Sequence, residues 1–136
     1  MNLYGINWAK SQIPIIKKAI VYESEKSVLK YMSYFGIENN ISVACCGSSI
    51  SAFQMQELIS CGAEEVVIAF DRQFQEIGDK EFNKLKKNLL KTREKYKNFI
   101  NISFIFDKGM ITGYKDSPID TGKDNFLTLF KERIIL

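Results

Sequence analysis

At 136 residues the chain is long enough for one domain with its own core, and its 46% hydrophobic and 26% charged composition is that of a globular fold. No apolar run approaches the ~20 residues that a membrane-spanning helix needs, and the opening Met1-Asn2-Leu3-Tyr4-Gly5 lacks the basic-then-apolar layout of a signal peptide. The net charge is +3 and histidine is absent, which excludes a Ser-His-Asp triad, a Cys-His pair and a histidine base, so chemistry here must rest on carboxylates, lysines or metal.

A cytoplasmic protein is the default expectation. The three cysteines, Cys45, Cys46 and Cys61, form no CxxC, and without histidine a structural zinc site is not expected. All three are read as reduced, mostly buried thiols.

In chain order, a short helix is expected around Ile6–Gln12, stopping before Pro14. A first strand follows at Ala19–Glu23. A helix over Glu25–Phe35 would carry Val28, Leu29, Met32 and Phe35 on one face and stop at Gly36. The second strand is Ile41–Cys46. The next helix, Ser51–Ser60, opens with Ser51-Ala52-Phe53-Gln54, a capping-box pattern, and runs out at Gly62. Glu65–Phe70 reads as the third strand.

A long helix at about Asp79–Lys97 would bury Phe82, Leu85, Leu89 and Tyr96. From Asp79 to Asn98 the chain carries eight basic residues against three acids, a net +5 that leaves about −2 for the remainder. A basic face beside acidic strand ends suits a polyanion held near metal ions, although a solvated helix face gives the same pattern. Tyr96 and Phe99, at helical spacing, read as core rather than as base-stacking platforms. The fourth strand is Ile102–Phe106. A final helix, about Lys123–Arg133, carries Phe126, Leu127, Leu129 and Phe130, with Asp120 or Thr121 as its cap.

Strands that are apolar almost throughout, alternating with helices, imply a largely parallel four-stranded α/β sheet, Rossmann-like, with helices on both faces and one domain over residues 1–136. In such a sheet the strand ends gather at one edge. The first strand ends in Glu23, the third in Asp71 and the fourth in Asp107, and the loop Gly113–Asp120 adds Asp116 and Asp120. Each acid alone is readily explained as solvated, capping or turn chemistry. Together they repel unless a cation is present, and hard oxygen ligands favour Mg²⁺ or Mn²⁺.

These residues resemble the Toprim domain of DnaG-type, phage-like DNA primases. The segment Leu3–Lys10 is similar to the lead-in of that domain, and Val21-Tyr22-Glu23-Ser24-Glu25-Lys26-Ser27-Val28 to its VEGxxDV strand and turn. Cys46–Ser51 resembles its LGT turn, Val66–Gln73 its VVLAFDGD strand, and Tyr114–Asp120 its GKDPD loop. The resemblance implies Mg²⁺-dependent nucleotidyl transfer in RNA primer synthesis. Glu23 and Asp71 would be the catalytic metal ligands, with Glu23 alternatively a general base, and Asp116 and Asp120 would be further ligands.

It also implies that Lys115 lies near phosphates; Lys26 and Arg72 are further candidates for nucleotide contact, and Lys84, Lys87 and Lys91 of the basic helix are candidates for nucleic-acid contact. DNA template and nucleoside triphosphates would be the partners, with a replicative helicase as a further one. The second acid of the family's D-x-D is Gln73 here, and Ser24 and Ser27 replace the Gly and Asp after its glutamate. Gln73, Glu76 or Asp79 would then have to complete the metal site. The alternatives are a degenerate Toprim module that binds nucleic acid or acts as a scaffold, or a Toprim nuclease. Because a full primase also needs a zinc module, the chain is expected to be a domain excised from, or a relic of, a larger enzyme.

Overall fold

The computed structural model describes residues 3–135. The described elements are α1 (Ile6–Ala9), α2 (Ile13–Ile16), β1 (Lys18–Tyr22), α3 (Glu25–Phe35), β2 (Ser42–Ala44), α4 (Ala52–Ser60), β3 (Glu65–Ile68), α5 (Lys80–Tyr96), β4 (Asn101–Phe104), α6 (Lys123–Lys131) and β5 (Ile134–Ile135). The sheet order is β2-β1-β3-β4-β5. β1 to β4 are mutually parallel, while β5 pairs antiparallel with β4.

The expected alternation and parallel core are therefore present, but the sheet has five strands rather than four. The reason lies in the last segment. α6 stops at Lys131, and Ile134 and Ile135 pair with Phe104 and Ser103 instead of continuing the helix. Arg133 is held at the turn by Glu65, through Nε at 2.7 Å and Nη2 at 3.2 Å. The Glu65 carboxyl feels burial pushing it up, but hydrogen bonds from Arg133 and Ser103 outweigh that and hold it below its ordinary range.

The strands are buried on both faces, as near-continuous apolar runs require. In α3 the buried stripe is Val28, Tyr31 and Met32, with Phe35 packed beside it. Leu29, expected on that face, is exposed, because the i, i+3, i+4, i+7 series from Val28 passes it by. Tyr31 and Phe35 pack on Phe126 of α6, so α3 and α6 share one face of the sheet.

The capping box of α4 is formed: Ser51 Oγ accepts from Gln54 N–H, and Gln54 Oε1 accepts from Ser51 N–H. α5 buries the expected Phe82, Leu85, Leu89 and Tyr96, but Phe99 beyond it is 74% exposed and is not core. At the N-terminal side, two short helices replace the single one expected. Pro14 sits in the first turn of α2, where its missing N–H costs no helix bond. The last helix has Gly122 as its N-cap residue with no side-chain cap, so neither Asp120 nor Thr121 serves there. The cysteines are free; Cys45 is buried and Cys61 partly so, but Cys46 is exposed on the loop after β2, against expectation. No described helix is long and apolar enough to cross a membrane.

Candidate metal centre at the β1–β3 switch point

The chain leaves β1 toward β2 on one side and returns past β1 to add β3 on the other. The carboxyl ends of β1 and β3 therefore flank the point where strand order reverses, the usual ligand crevice of such sheets. Glu23 follows the last residue of β1, and Asp71 lies just beyond β3. Glu23 Oε1 accepts hydrogen bonds from the Asp71 backbone N–H at 3.0 Å and from Gln73 Nε2 at 3.1 Å. Gln73 thus meets Glu23 with its NH₂ group, a bond that an aspartate could not make.

The loop after β4 is sewn to the Asp71 segment. Arg72 N–H donates to Asp116 O at 2.9 Å, Lys115 N–H donates to Arg72 O at 2.7 Å, and Arg72 Nε donates to Gly113 O. Asp116 folds back so that its Oδ2 accepts from Gly113 N–H. A Cβ at residue 113 would lie 2.7 Å from that oxygen, so a larger residue there would displace the Asp116 carboxylate. Asp120 accepts from Ser117 N–H and from Lys30 Nζ, the latter at 3.2 Å. From the other side Phe74 anchors the segment, packing against Phe82 and Phe106.

These placements set the electrostatics. Burial, and then the negative charges of Glu23, Asp120 and Asp116, push the Asp71 carboxyl up to about 7. Burial also raises Glu23, against the lowering effect of its two hydrogen bonds. The Asp71 carboxylate receives no hydrogen bond among the described residues. A half-buried carboxylate that lacks a donor and faces three further acids is an arrangement that a cation relieves.

Among the described residues no group of three acids or cysteines is placed to hold a metal ion by itself. A hard cation such as Mg²⁺ can be held by one or two carboxylates together with waters and substrate phosphates, without a protein cage. Glu23 and Asp71 are the residues that fit it.

The remaining candidates fall in different places. Asp79 is the N-cap of α5, and its carboxylate accepts from the backbone N–H groups of Phe82, Gln75 and Glu76. Those bonds, Phe82 first, hold it below its ordinary range. Glu76 is exposed on the same turn. Lys26 shares a shallow depression with Glu23 and Cys46. Lys115 adopts a left-handed backbone at φ 64°, and its ammonium lies 5.4 Å from the Tyr114 ring centroid.

Lys84 and Lys91 line a groove that also contains Gln73, whereas Lys87 does not. Asp107 is buried, and its carboxylate accepts from Ile111 N–H, Thr112 N–H and Thr112 Oγ1, so it clamps its own loop as ordinary turn chemistry. Sequence reasoning missed Lys30, although it lies one helical turn after Lys26 and so shares a face of α3 with it. It also missed Lys95, Ser48 and Ser49 of the groove.

No family model matches the chain. Over 98% of its length the chain is 38% identical to the SPbeta prophage-derived uncharacterized protein YorJ of Bacillus subtilis (strain 168), and it spans 37% of that protein. Among solved structures it is similar to the Aquifex aeolicus primase, in a structure of the zinc-binding and RNA polymerase domains. There the TM-score is 0.66 at 20% identity, covering 98% of this chain and 30% of that one. It is also similar to the RNA polymerase domain of Mycobacterium tuberculosis primase DnaG in complex with double-stranded DNA, with a TM-score of 0.64 at 19% identity, covering 96% of this chain and 39% of that one. The chain therefore has the fold of a segment of primase RNA polymerase domains.

Proposed function

We propose that this chain is the metal-binding core of a primase-type nucleotidyltransferase, acting in a longer protein on a DNA template with nucleoside triphosphates. The observation that carries the reading is the meeting of Glu23 with the Asp71 backbone at the β1–β3 switch point, with the Asp71 carboxylate lacking a hydrogen-bond donor among the described residues. The shared fold and the Toprim-like segments support it. Glu23 and Asp71 would hold Mg²⁺ or Mn²⁺, which supplies charge neutralisation at the transferred phosphorus and orients the triphosphate.

The chain's own residues do the rest. Glu23 positions the Asp71 backbone through its N–H, and Gln73 holds Glu23 in place. The bonds between Arg72 and the loop at Gly113–Asp116 bring Lys115 to the same edge, where its ammonium can meet a phosphate. Lys30 offsets the charge of Asp120.

The test is Mn²⁺ calorimetry on the wild-type chain, Glu23→Gln and Asp71→Asn. Weak binding is expected, with Kd on the order of 10⁻⁴–10⁻³ M for two carboxylates without a full cage, lost in both variants. Binding that survives in both would overturn the site. Nucleotide incorporation by the longer protein, rather than release of fragments, separates the polymerase reading from a nuclease using the same acids.

A second reading has its own observation. Gln73 stands where a second acid would sit and already occupies a Glu23 oxygen. A domain so arranged can serve as a nucleic-acid-binding module with little metal affinity, and the same calorimetry decides between the two.

A further inference from the structure

The sheet ends at β5, and among the described residues nothing pairs with the outer edge of that strand. Between α5 and this edge lies a depression of about 200 Å³. Leu89 and Phe104 at its base belong to the core, but Leu90 is exposed and Phe106 and Ile134 are partly so. A second depression of about 270 Å³ adjoins it, sharing Phe106, Lys108 and Ile134 and adding the exposed Ile111. Ile135, beside Ile134 in β5, is 63% exposed. Neither depression includes Glu23 or Asp71.

The charge around this apolar edge is one-sided at the α5 end. Lys86 and Lys108 border the first depression, and no acid does. Both lysines are exposed, and neither forms an ion pair among the described residues. The acids of the second depression are Asp107, whose carboxylate is taken up by Ile111 and Thr112, and Glu132 at its α6 side.

We propose that this edge docks an extended acidic peptide segment of a partner protein. One large apolar side chain of the segment fills the depression beside Leu90, and its carboxylates meet Lys86 and Lys108. Volume argues for a side chain: about 200 Å³ is below the roughly 300–1,000 Å³ of pockets that enclose small molecules. Charge complementarity sets the sign, since two unpaired cations face no acid. The cations stand on different elements, Lys86 on α5 and Lys108 on the loop after β4, so they bracket an apolar pocket rather than track an evenly charged backbone.

The free edge of β5 supplies main-chain donors and acceptors for an added strand. In such a strand the residues two before and two after the anchor share its face, so acids at those positions are the ones that reach the lysines. The interaction uses neither the strand-end acids nor metal, so it stands or falls apart from the nucleotidyltransferase reading.

The experiment is fluorescence anisotropy with the wild-type chain in EDTA. The probe is the labelled peptide Thr-Asp-Thr-Phe-Thr-Asp-Thr, and its control is Thr-Thr-Asp-Phe-Asp-Thr-Thr, which has the same composition with the acids on the other face. The first should bind more tightly, and its affinity should fall about threefold between roughly 50 and 500 mM salt. Lys86→Gln/Lys108→Gln should weaken it about 5- to 20-fold, and Leu90→Asp by at least about tenfold. Lys97→Gln, at the far end of α5 and outside both depressions, should leave binding unchanged. Circular dichroism melts establish that each variant is folded.

Equal affinity for the two peptides, full affinity in the folded double variant, or no binding up to about 1 mM overturns the proposal. So does displacement of the peptide by an oligothymidylate that also needs Lys86 and Lys108, which would assign the lysines to nucleic acid. Sedimentation of the chain alone covers the remaining occupant: a dimer that Leu90→Asp dissociates would mean that a second copy fills this edge, and would overturn the proposal as well.

Discussion

Replacing Asp71 by Asn should make the metal-free protein more stable, an uncommon outcome for a substitution at a half-buried polar position. The folded protein holds this carboxyl at about 7, against an ordinary value of 3.8. Between pH ~4 and ~7 the folded state keeps a proton that the unfolded chain has released. Stability therefore falls as pH rises through that window and levels off above it. A shift of that size, fully expressed, corresponds to about 4 kcal/mol. The side chain is only partly buried and water screens it, so about 1–2 kcal/mol is the expected effect.

Asparagine keeps the volume and removes the charge that Glu23, Asp116 and Asp120 oppose. For a domain of this size about 3 °C of melting temperature accompanies each kcal/mol. In EDTA at pH 8, Asp71→Asn should then melt about 3–6 °C above wild type, and the two should converge near pH 4. Adding Mn²⁺ should raise the wild-type melting temperature and leave the variant unmoved, because only a state that binds the ion gains from it. The assay is a set of thermal melts by circular dichroism at several pH values, with and without metal. A variant that melts below wild type at pH 8 in EDTA would refute the reasoning, since it would mean that the Asp71 charge is already compensated in the folded protein.

Asp107 should behave in the opposite way. Asp107→Ala removes the acceptor for three donors in a buried loop and should cost about 2–3 kcal/mol in urea unfolding, whereas a loss under about 0.5 kcal/mol would mean that water replaces the clamp. Gln73→Asp exchanges a hydrogen bond to Glu23 for a like charge; calorimetry should show tighter Mn²⁺ binding and melts should show a less stable metal-free protein, and weaker metal binding would count against the site. Ser51→Ala should cost about 1 kcal/mol through the lost cap. Gln54→Ala should cost more, because Gln54 also donates from Nε2 to the Cys45 carbonyl in a buried bond; equal losses in urea titrations would show that this second bond contributes nothing.

Much of the architecture is legible in local pattern. A short β-branched run such as Val66-Val67-Ile68 reads as a strand buried on both faces, and Ser51 with Gln54 announces a helix start that the structure makes with both bonds. The stripe Phe82, Leu85, Leu89, Tyr96 reads the same in both. Two of the expectations failed for different reasons. Leu29 lies off the i, i+3, i+4, i+7 series Val28, Tyr31, Met32 and Phe35 that packs on the sheet, and it is exposed. Ile134 and Ile135 suit the end of a helix or an edge strand, and the free edge of β4 together with the Glu65–Arg133 pair selected the strand.

The sequence by itself determined which acids follow strands closely, because an apolar run that stops near a carboxylate brings it to the edge of the sheet: Glu23 comes directly after β1, and Asp71 and Asp107 come three residues after β3 and β4. It also determined that α5 is basic. It did not determine which of these groups meet. Glu23 and Asp71 are 48 residues apart and become neighbours only because β1 and β3 pair in parallel with their carboxyl ends level. Asp107 and Asp79 have the same chemistry, yet tertiary contacts commit one to a loop clamp and the other to a helix cap. The lysines divide in the same way. Lys84, Lys91 and Lys95 face the groove and Lys86 does not, since the burial of the Leu85–Leu89 stripe fixes the rotation of the helix and with it the direction of every charge.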